Sequence, residues 1–313
     1  MRPLKDRSAF FLLGVLSSLL ILSAYWYRPG FLSVLDLNAT DAMFAARGES
    51  PAPEEVVIVA IDEKSVNEHG RWPWHREKTA RLIEALKPSR VTALDIVFSE
   101  EENLSSDKSL SSAIKDSRNT VLGYFFRNDS TQEPKPASLA QLNSSKISFL
   151  NFLSENAAPD FPGPEFSSIE ANIPIVGQGA SGFGAFNTVP EPDGIYRQAH
   201  LVFKWGPDIY PSLPLEALRK YLSGDIVLNM ALYGIDSVDV AGKKVPLDEQ
   251  GAFSLNFYGT AGSFKTYSAS DVMNGKIPEE AIKDKLVFVG VTEKAVYDIR
   301  PTPMDPLFPG VEI

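Results

Sequence analysis

A chain of 313 residues can hold one large or two ordinary domains with a buried core, and 44% apolar with 22% charged residues is the make-up of a folded protein. The formal net charge of -10 disfavours nucleic acid as a partner, because phosphate needs the opposite sign over most of a face. With no cysteine, disulfides, thiolate metal sites and cysteine nucleophiles are excluded, and His69, His75 and His200 lack the i,i+4 spacing beside a carboxylate that a catalytic zinc would use.

Arg2, Lys5 and Arg7 precede an uncharged, mostly apolar stretch from Ala9 to Tyr27, close to the ~20 residues a helix needs to cross a bilayer. Positive flanks stay on the cytoplasmic side and Tyr25-Trp26-Tyr27 forms an interfacial aromatic belt, so the remainder is expected on the outer side. A cleaved signal peptide ending at Ala24 is the competing reading, but the apolar region is long for one and Leu22 is a poor small residue at the cleavage site. The expected organisation is a tail over 1–8, a membrane helix over 9–27, a stalk over 28–48 that is helical from Phe31 to Ala46 and closed by Gly48, and a body over 49–313.

The body opens on Val56 to Ile61, a continuous apolar run that suits a strand covered on both faces and ends in Asp62. After the turn Gly70-Arg71-Trp72-Pro73-Trp74, the segment Arg76 to Lys87 places Thr79, Ile83 and Leu86 on one helical side, and Pro88 stops it. Val91 to Phe98 re-enters an apolar run and carries Asp95, so the unit reads β-α-β with a right-handed crossover. Ser99 to Asp107 reads as a loop, Ser109 to Lys115 as a short helix and Thr120 to Phe126 as a third strand.

Arg127 to Pro174, rich in Ser, Asn and Pro, reads as an irregular excursion. Ser181 to Val189 and Ile195 to Trp205 read as extended, joined by the turn-forming Pro190 to Gly194. A helix is expected over Pro211 to Leu222, then short strands at Ser237–Val240, Lys244–Leu247 and Ala252–Phe257, and a last clear strand at Leu286–Val291. The fold class is therefore α/β, a mostly parallel central sheet with helices on both faces, behind an N-terminal transmembrane helix.

In such sheets ligands bind beyond the carboxyl ends of the strands, where Asp62 and the Trp-Pro-Trp turn would lie. Asp62 and Asp95 suit a cationic or hydroxylated ligand, or equally a helix cap and the neutralisation of a buried arginine. Arg71, Arg76 and Arg197 are their charge partners in either case. Trp72 and Trp74 suit a stacking wall, or a packing plug under the helix. Gly177 to Gly182 matches G-x-G-x-x-G literally, but no helix opens there to face a pyrophosphate, and Phe264 spoils the phosphate-loop pattern before Lys265-Thr266. No cofactor is expected.

Taken in order, Leu37 to Gly48 with Asp41, Ile61-Asp62, Gly70-Arg71-Trp72-Pro73-Trp74 with Arg76, and Leu94 to Glu100 form a series of words. Gly182-Phe183, Asp193-Gly194 with Arg197, Leu255 to Gly259, Lys285 to Thr292, Asp298, Thr302-Pro303 and Pro309 to Ile313 continue it. Over nearly its whole length the chain thereby resembles the type-two CHASE domain, the extracytoplasmic sensory module of bacterial transmembrane receptors. The resemblance implies a periplasmic domain anchored in the inner membrane that answers a small-molecule or protein ligand. It also implies further membrane helices and a cytoplasmic output, such as a nucleotide cyclase, histidine kinase, Ser/Thr kinase or diguanylate cyclase, which this sequence is expected to lack.

The candidate ligand-binding residues are Asp62, Arg71, Trp72, Trp74, Arg76, Asp95, Asp193, Arg197 and Asp298, and the chain itself is expected to be no enzyme. Signalling across a bilayer requires relative movement of what spans it, so a homodimer joined through the stalk is expected. The alternative is an envelope interaction or scaffold domain that senses nothing small. A hydrolase using Asp62 and Asp95 as acid and base is the weakest reading.

Overall fold

The computed structural model describes residues 3–27, 30–129, 136–155, 161–293 and 299–313. It divides into two compact units, Met1–Gly48 and Glu49–Ile313.

The first unit is two helices, Pro3–Tyr27 and Gly30–Arg47. Within the former, Ser8–Tyr27 has a mean hydropathy of 2.0, none of it covered by protein, so by length and composition it can cross a membrane. Gly48 ends the second helix at a φ of 73°, its N–H returning to Phe44 O at 3.0 Å, a left-handed cap that a side chain would strain.

The second unit is built on a seven-stranded sheet in the order Lys265–Ser268, Val56–Ile61, Leu286–Val291, Val91–Leu94, Thr120–Arg127. The last strand pairs with Gly182–Ala185 in parallel and with Ser168–Glu170 antiparallel. The other neighbours are all parallel, with Val56 opposite Leu286 and Ile58 opposite Phe288. The expected parallel sheet is thus present at the centre, while the smaller sheets around it are of mixed orientation.

Helices cover both faces. On one, Val57, Val59, Leu94, Leu122, Val287 and Val289 pack with Leu82 and Ile83 of helix Arg76–Ala85 and with Leu110 and Ile114 of helix Leu104–Ser117. Each such aliphatic chain removed from water contributes about 1.5–3 kcal/mol. On the other, Val91, Ala93, Val121 and Leu286 meet Leu213 and Ala217 of helix Leu213–Leu222. That helix lies close because its strand carries Gly184, where a Cβ would run into the Leu213 backbone. Ser212 caps it, its Oγ accepting from Leu215 N at 3.3 Å.

Several boundaries differ from the sequence reading. The second apolar run leaves the sheet after Leu94, because Phe98 N–H turns away to Asn172 Oδ1 at 2.8 Å. The polar segment after it becomes helical from Leu104, since Asn103 caps the first turn through Ser106 N at 2.9 Å. Among its described residues, the excursion after Arg127 contains a helix, Pro136–Leu142, and three short strands, because Leu142, Ile147 and Ile169 reach buried cores.

A satellite sheet runs Lys243–Pro246, Gly234–Val240, Ile226–Ala231, Phe149–Phe152, and its inner face packs Leu228, Ile235, Val238 and Val240 against Val202 and Leu215. Smaller pairings join Val202–Trp205 to Asp208–Pro211 and Glu165–Phe166, and Gln198–His200 to Ala252–Ser254.

Candidate functional site

At the first strand exit, Asp62 caps helix Glu63–His69, accepting from Ser65 N at 2.9 Å and Ser65 Oγ at 2.7 Å, and from Ser268 Oγ at 2.8 Å. Its carboxylate therefore ties the first strand to the edge strand beside it. In the following turn Trp74 is buried, donating Nε1–H to Gly70 O at 2.8 Å, and Trp72 leans edge-on against it at 5.9 Å between centroids. This is the plug arrangement, with Arg71 exposed.

Arg76 is also held structurally. It donates to Glu100 O at 2.7 Å and to the buried Asp107 at 3.3 Å, with its guanidinium 4.7 Å over the Phe98 ring. Arg197, 4% exposed, donates to Glu191 at 2.6 Å and to Asp193 at 2.9 Å. The guanidinium holds the Asp193 carboxyl below its usual range. The structure thus brings Trp72 to Trp74 and Asp193 to Arg197. Asp298 lies outside the described residues.

Asp95 has a different place: it lines a cavity of about 340 Å³ on the sheet face that carries helix Leu213–Leu222. Val56 and Ile58 of one strand and Leu286 and Phe288 of the next supply its apolar floor. Leu213, Pro214 and Leu218 of the helix line it, as do Phe264 and the last four residues, Gly310 to Ile313. Val311 sits directly on the sheet, since a Cβ on Gly290 would come within 2.6 Å of it.

The polar lining is sparse. Arg300 donates to Thr188 Oγ1 and, at 3.4 Å, to Tyr196 OH, with its guanidinium 5.3 Å over the Tyr196 ring. Asn187 spends its amide on Phe126, accepting from the backbone N at 2.7 Å and donating to the backbone O at 2.9 Å. Burial pushes the His200 imidazole down from its ordinary value against the pull of Asp248, which leaves it neutral near pH 7. Burial pushes the Glu312 carboxyl up, although Gly262 N–H donates to both its oxygens at 3.1 and 3.0 Å, and Asp305 adds to the rise.

Such a cavity takes an apolar body and orients it through a few polar groups at its edge. Sequence reasoning named Asp95 and missed Thr188, His200, Phe288, Arg300 and Glu312 as members of one site. The floor residues sit in runs that are apolar on both faces, where nothing marks the face left unfilled. The one available signal was the closing Pro309 to Ile313, quoted among the family words.

The profile of one protein family, described as the CHASE2 domain, matches residues 15–313 of the chain. No curated protein and no solved structure matches it.

Proposed function

The chain belongs to the CHASE2 domain family, a family of extracytoplasmic sensory domains, and on that premise we propose that Glu49–Ile313 is the receptive body of a membrane-anchored bacterial receptor whose ligand occupies the cavity beside Val311. The apolar helix Ser8–Tyr27 fits an anchor, with the body in the periplasm. The observation that carries the reading is that the cavity is lined by Gly310 to Ile313, a segment seated on the sheet through Val311. A ligand that fits better in one placement of this segment than another shifts the population between them. That shift would pass to a cytoplasmic output such as an adenylate cyclase or a kinase, and this chain would bind rather than catalyse.

The ligand class follows from size and charge. A cavity of about 150 Å³ holds benzene, so about 340 Å³ suits roughly twice as many non-hydrogen atoms. Asp95 and Arg300 bring opposite charges to the lining, His200 is neutral and burial disfavours the charged form of Glu312, so an uncharged molecule with one hydrogen-bonding end adds no further charge to be buried. Inner membrane placement completes the proposal.

The test is calorimetry on the whole chain in lipid nanodiscs with three probes that share one ring system: 2-naphthol, 2-naphthoate and 2-naphthylmethylammonium. The neutral probe is expected to bind at least about tenfold tighter than either ion and, at a hundredfold excess over its dissociation constant, to stabilise the fold by about 2.7 kcal/mol. Leu218→Trp, which fills the cavity, is expected to abolish binding with an unchanged far-ultraviolet circular dichroism spectrum. Equal binding to wild type and Leu218→Trp, or no binding of any probe, sinks the cavity as the receptive site.

A further inference from the structure

The satellite sheet ends on one side in Lys243–Pro246 and on the other in Phe149–Phe152. The first edge is guarded: Lys243 and Lys244 would have to be desolvated by a pairing strand, and Pro246 offers no N–H. Among the described residues the second has no guard. From Ile147 to Ser154 there is no charged residue, and Phe149 is 54% and Phe152 52% exposed, with Leu150 and Leu153 also exposed. Because successive side chains point to opposite faces, apolar surface is bare on both sides of this strand.

The strand runs parallel to Ile226–Ala231, with Phe149 opposite Val227 and Phe152 opposite Met230. Just beyond it, Leu153 N–H donates to Met230 O at 2.9 Å. In a parallel ladder alternate residues bond the same neighbour, so residues 149, 151 and 153 turn their backbone groups inward. Leu150 and Phe152 turn theirs out to solvent. An uncharged, mostly apolar edge of this kind is a ready template for another strand.

We propose that this edge pairs antiparallel with the same edge of a second copy of the chain, about a two-fold axis at Asn151. A two-fold antiparallel pair must place some residue opposite itself. Centring on Asn151 puts Leu150 opposite Phe152 of the second copy, twice, as the hydrogen-bonded pairs, and Phe149 opposite Leu153 on the other face. Centring one residue earlier or later sets Ser148 against Phe152 or Ser154 against Leu150, which loses an apolar pair each time. The antiparallel sense also brings the end near Lys146 of one copy, whose ammonium already pairs with Asp208 at 3.2 Å, to the end near Glu155 of the other, so no like charges meet at the flanks. Elsewhere the net charge of -10 makes two copies repel.

Two Asn151 residues would face each other as a non-hydrogen-bonded pair, with Cα atoms about 4.5 Å apart, inside the range a disulfide spans. The chain has no cysteine, so a single substitution gives an unambiguous readout. In membrane vesicles carrying the whole chain, Asn151→Cys is expected to oxidise to a cross-linked dimer at least about tenfold faster than Leu150→Cys, Phe152→Cys or Lys243→Cys. Adding Leu150→Lys to Asn151→Cys is expected to remove that advantage.

Cross-linking of Asn151→Cys no faster than that of Lys243→Cys overturns the pairing. Equal rates for Asn151→Cys and Leu150→Cys overturn the register and with it the two-fold axis. If Asn151→Cys fails to cross-link but is shielded from a water-soluble maleimide by the vesicles, the strand docks on lipid, and self-pairing is again overturned.

Discussion

The two faces of the central sheet are built from the same strands yet finished differently. One face is filled: Leu82, Ile83, Leu110 and Ile114 from two helices are at most 1% exposed. The other is covered by helix Leu213–Leu222 and by Gly310–Ile313, with a cavity of about 340 Å³ among their residues. Interiors are ordinarily packed as tightly as organic crystals, so an unfilled stretch forfeits contact energy along its lining. The filled face holds the fold, and the hollow one leaves room for the proposed ligand.

That contrast breaks most visibly by truncation. Leu110→Ala on the filled face is expected to cost about 4 kcal/mol in urea denaturation, because the site is fully enclosed and cannot collapse. A loss near 1 kcal/mol would mean that this face is looser than its burial implies.

The helix over the hollow face depends on charge as well as packing. Glu216 is buried completely, with Arg219 at 2.7 Å, Lys220 at 3.7 Å and Ser145 Oγ at 3.2 Å. Arg219→Ala removes the nearest of these and is expected to destabilise by about 3 kcal/mol, since Lys220 remains to answer the carboxylate. By contrast, Leu218→Trp is expected to change stability by less than about 1 kcal/mol, because new contacts with the cavity wall offset the cost of repacking. Both are measurable by the same denaturation series.

The smallest effect sharpens the electrostatic side. Burial pushes the Glu216 carboxyl above its ordinary value, although Arg219, Lys220 and Ser145 favour the charged form. A carboxyl whose folded value is raised contributes stability that is full below its unfolded value, near 4.5, and is lost as pH rises through the raised folded value. Unfolding free energy measured upward from pH 4.5 should therefore fall more steeply in the wild type than in Glu216→Gln. Parallel curves would show that the group titrates as it does in the unfolded chain.

Much of this architecture could be read from residues alone. Val56–Ile61 and Leu286–Val291 are apolar runs buried on both faces, and the structure bounds them at the residues expected from sequence. Lys265–Ser268 escaped because it is polar and exposed along one half, and its pairing with Val57–Ala60 alone makes it a strand. Ile226–Ala231 escaped as well, its burial broken at Val227 and Asn229 by one-sided packing.

The site was less legible for a physical reason. Asp62 has the chemistry of a ligand group and of a helix cap alike, and only the three-dimensional position of Ser65 and Ser268 shows the cap. The cavity gathers residues from segments as far apart as Pro53 and Ile313, and no local spacing announces such a meeting.

The guarded strand Lys243–Pro246 has a consequence for how many molecules can gather. Stacking without limit needs a receptive flank on either side of every unit, and here one flank refuses. Under the proposed pairing the satellite sheet therefore couples in twos and goes no further by its own edges, so Phe149–Phe152 seeds no fibre through this sheet.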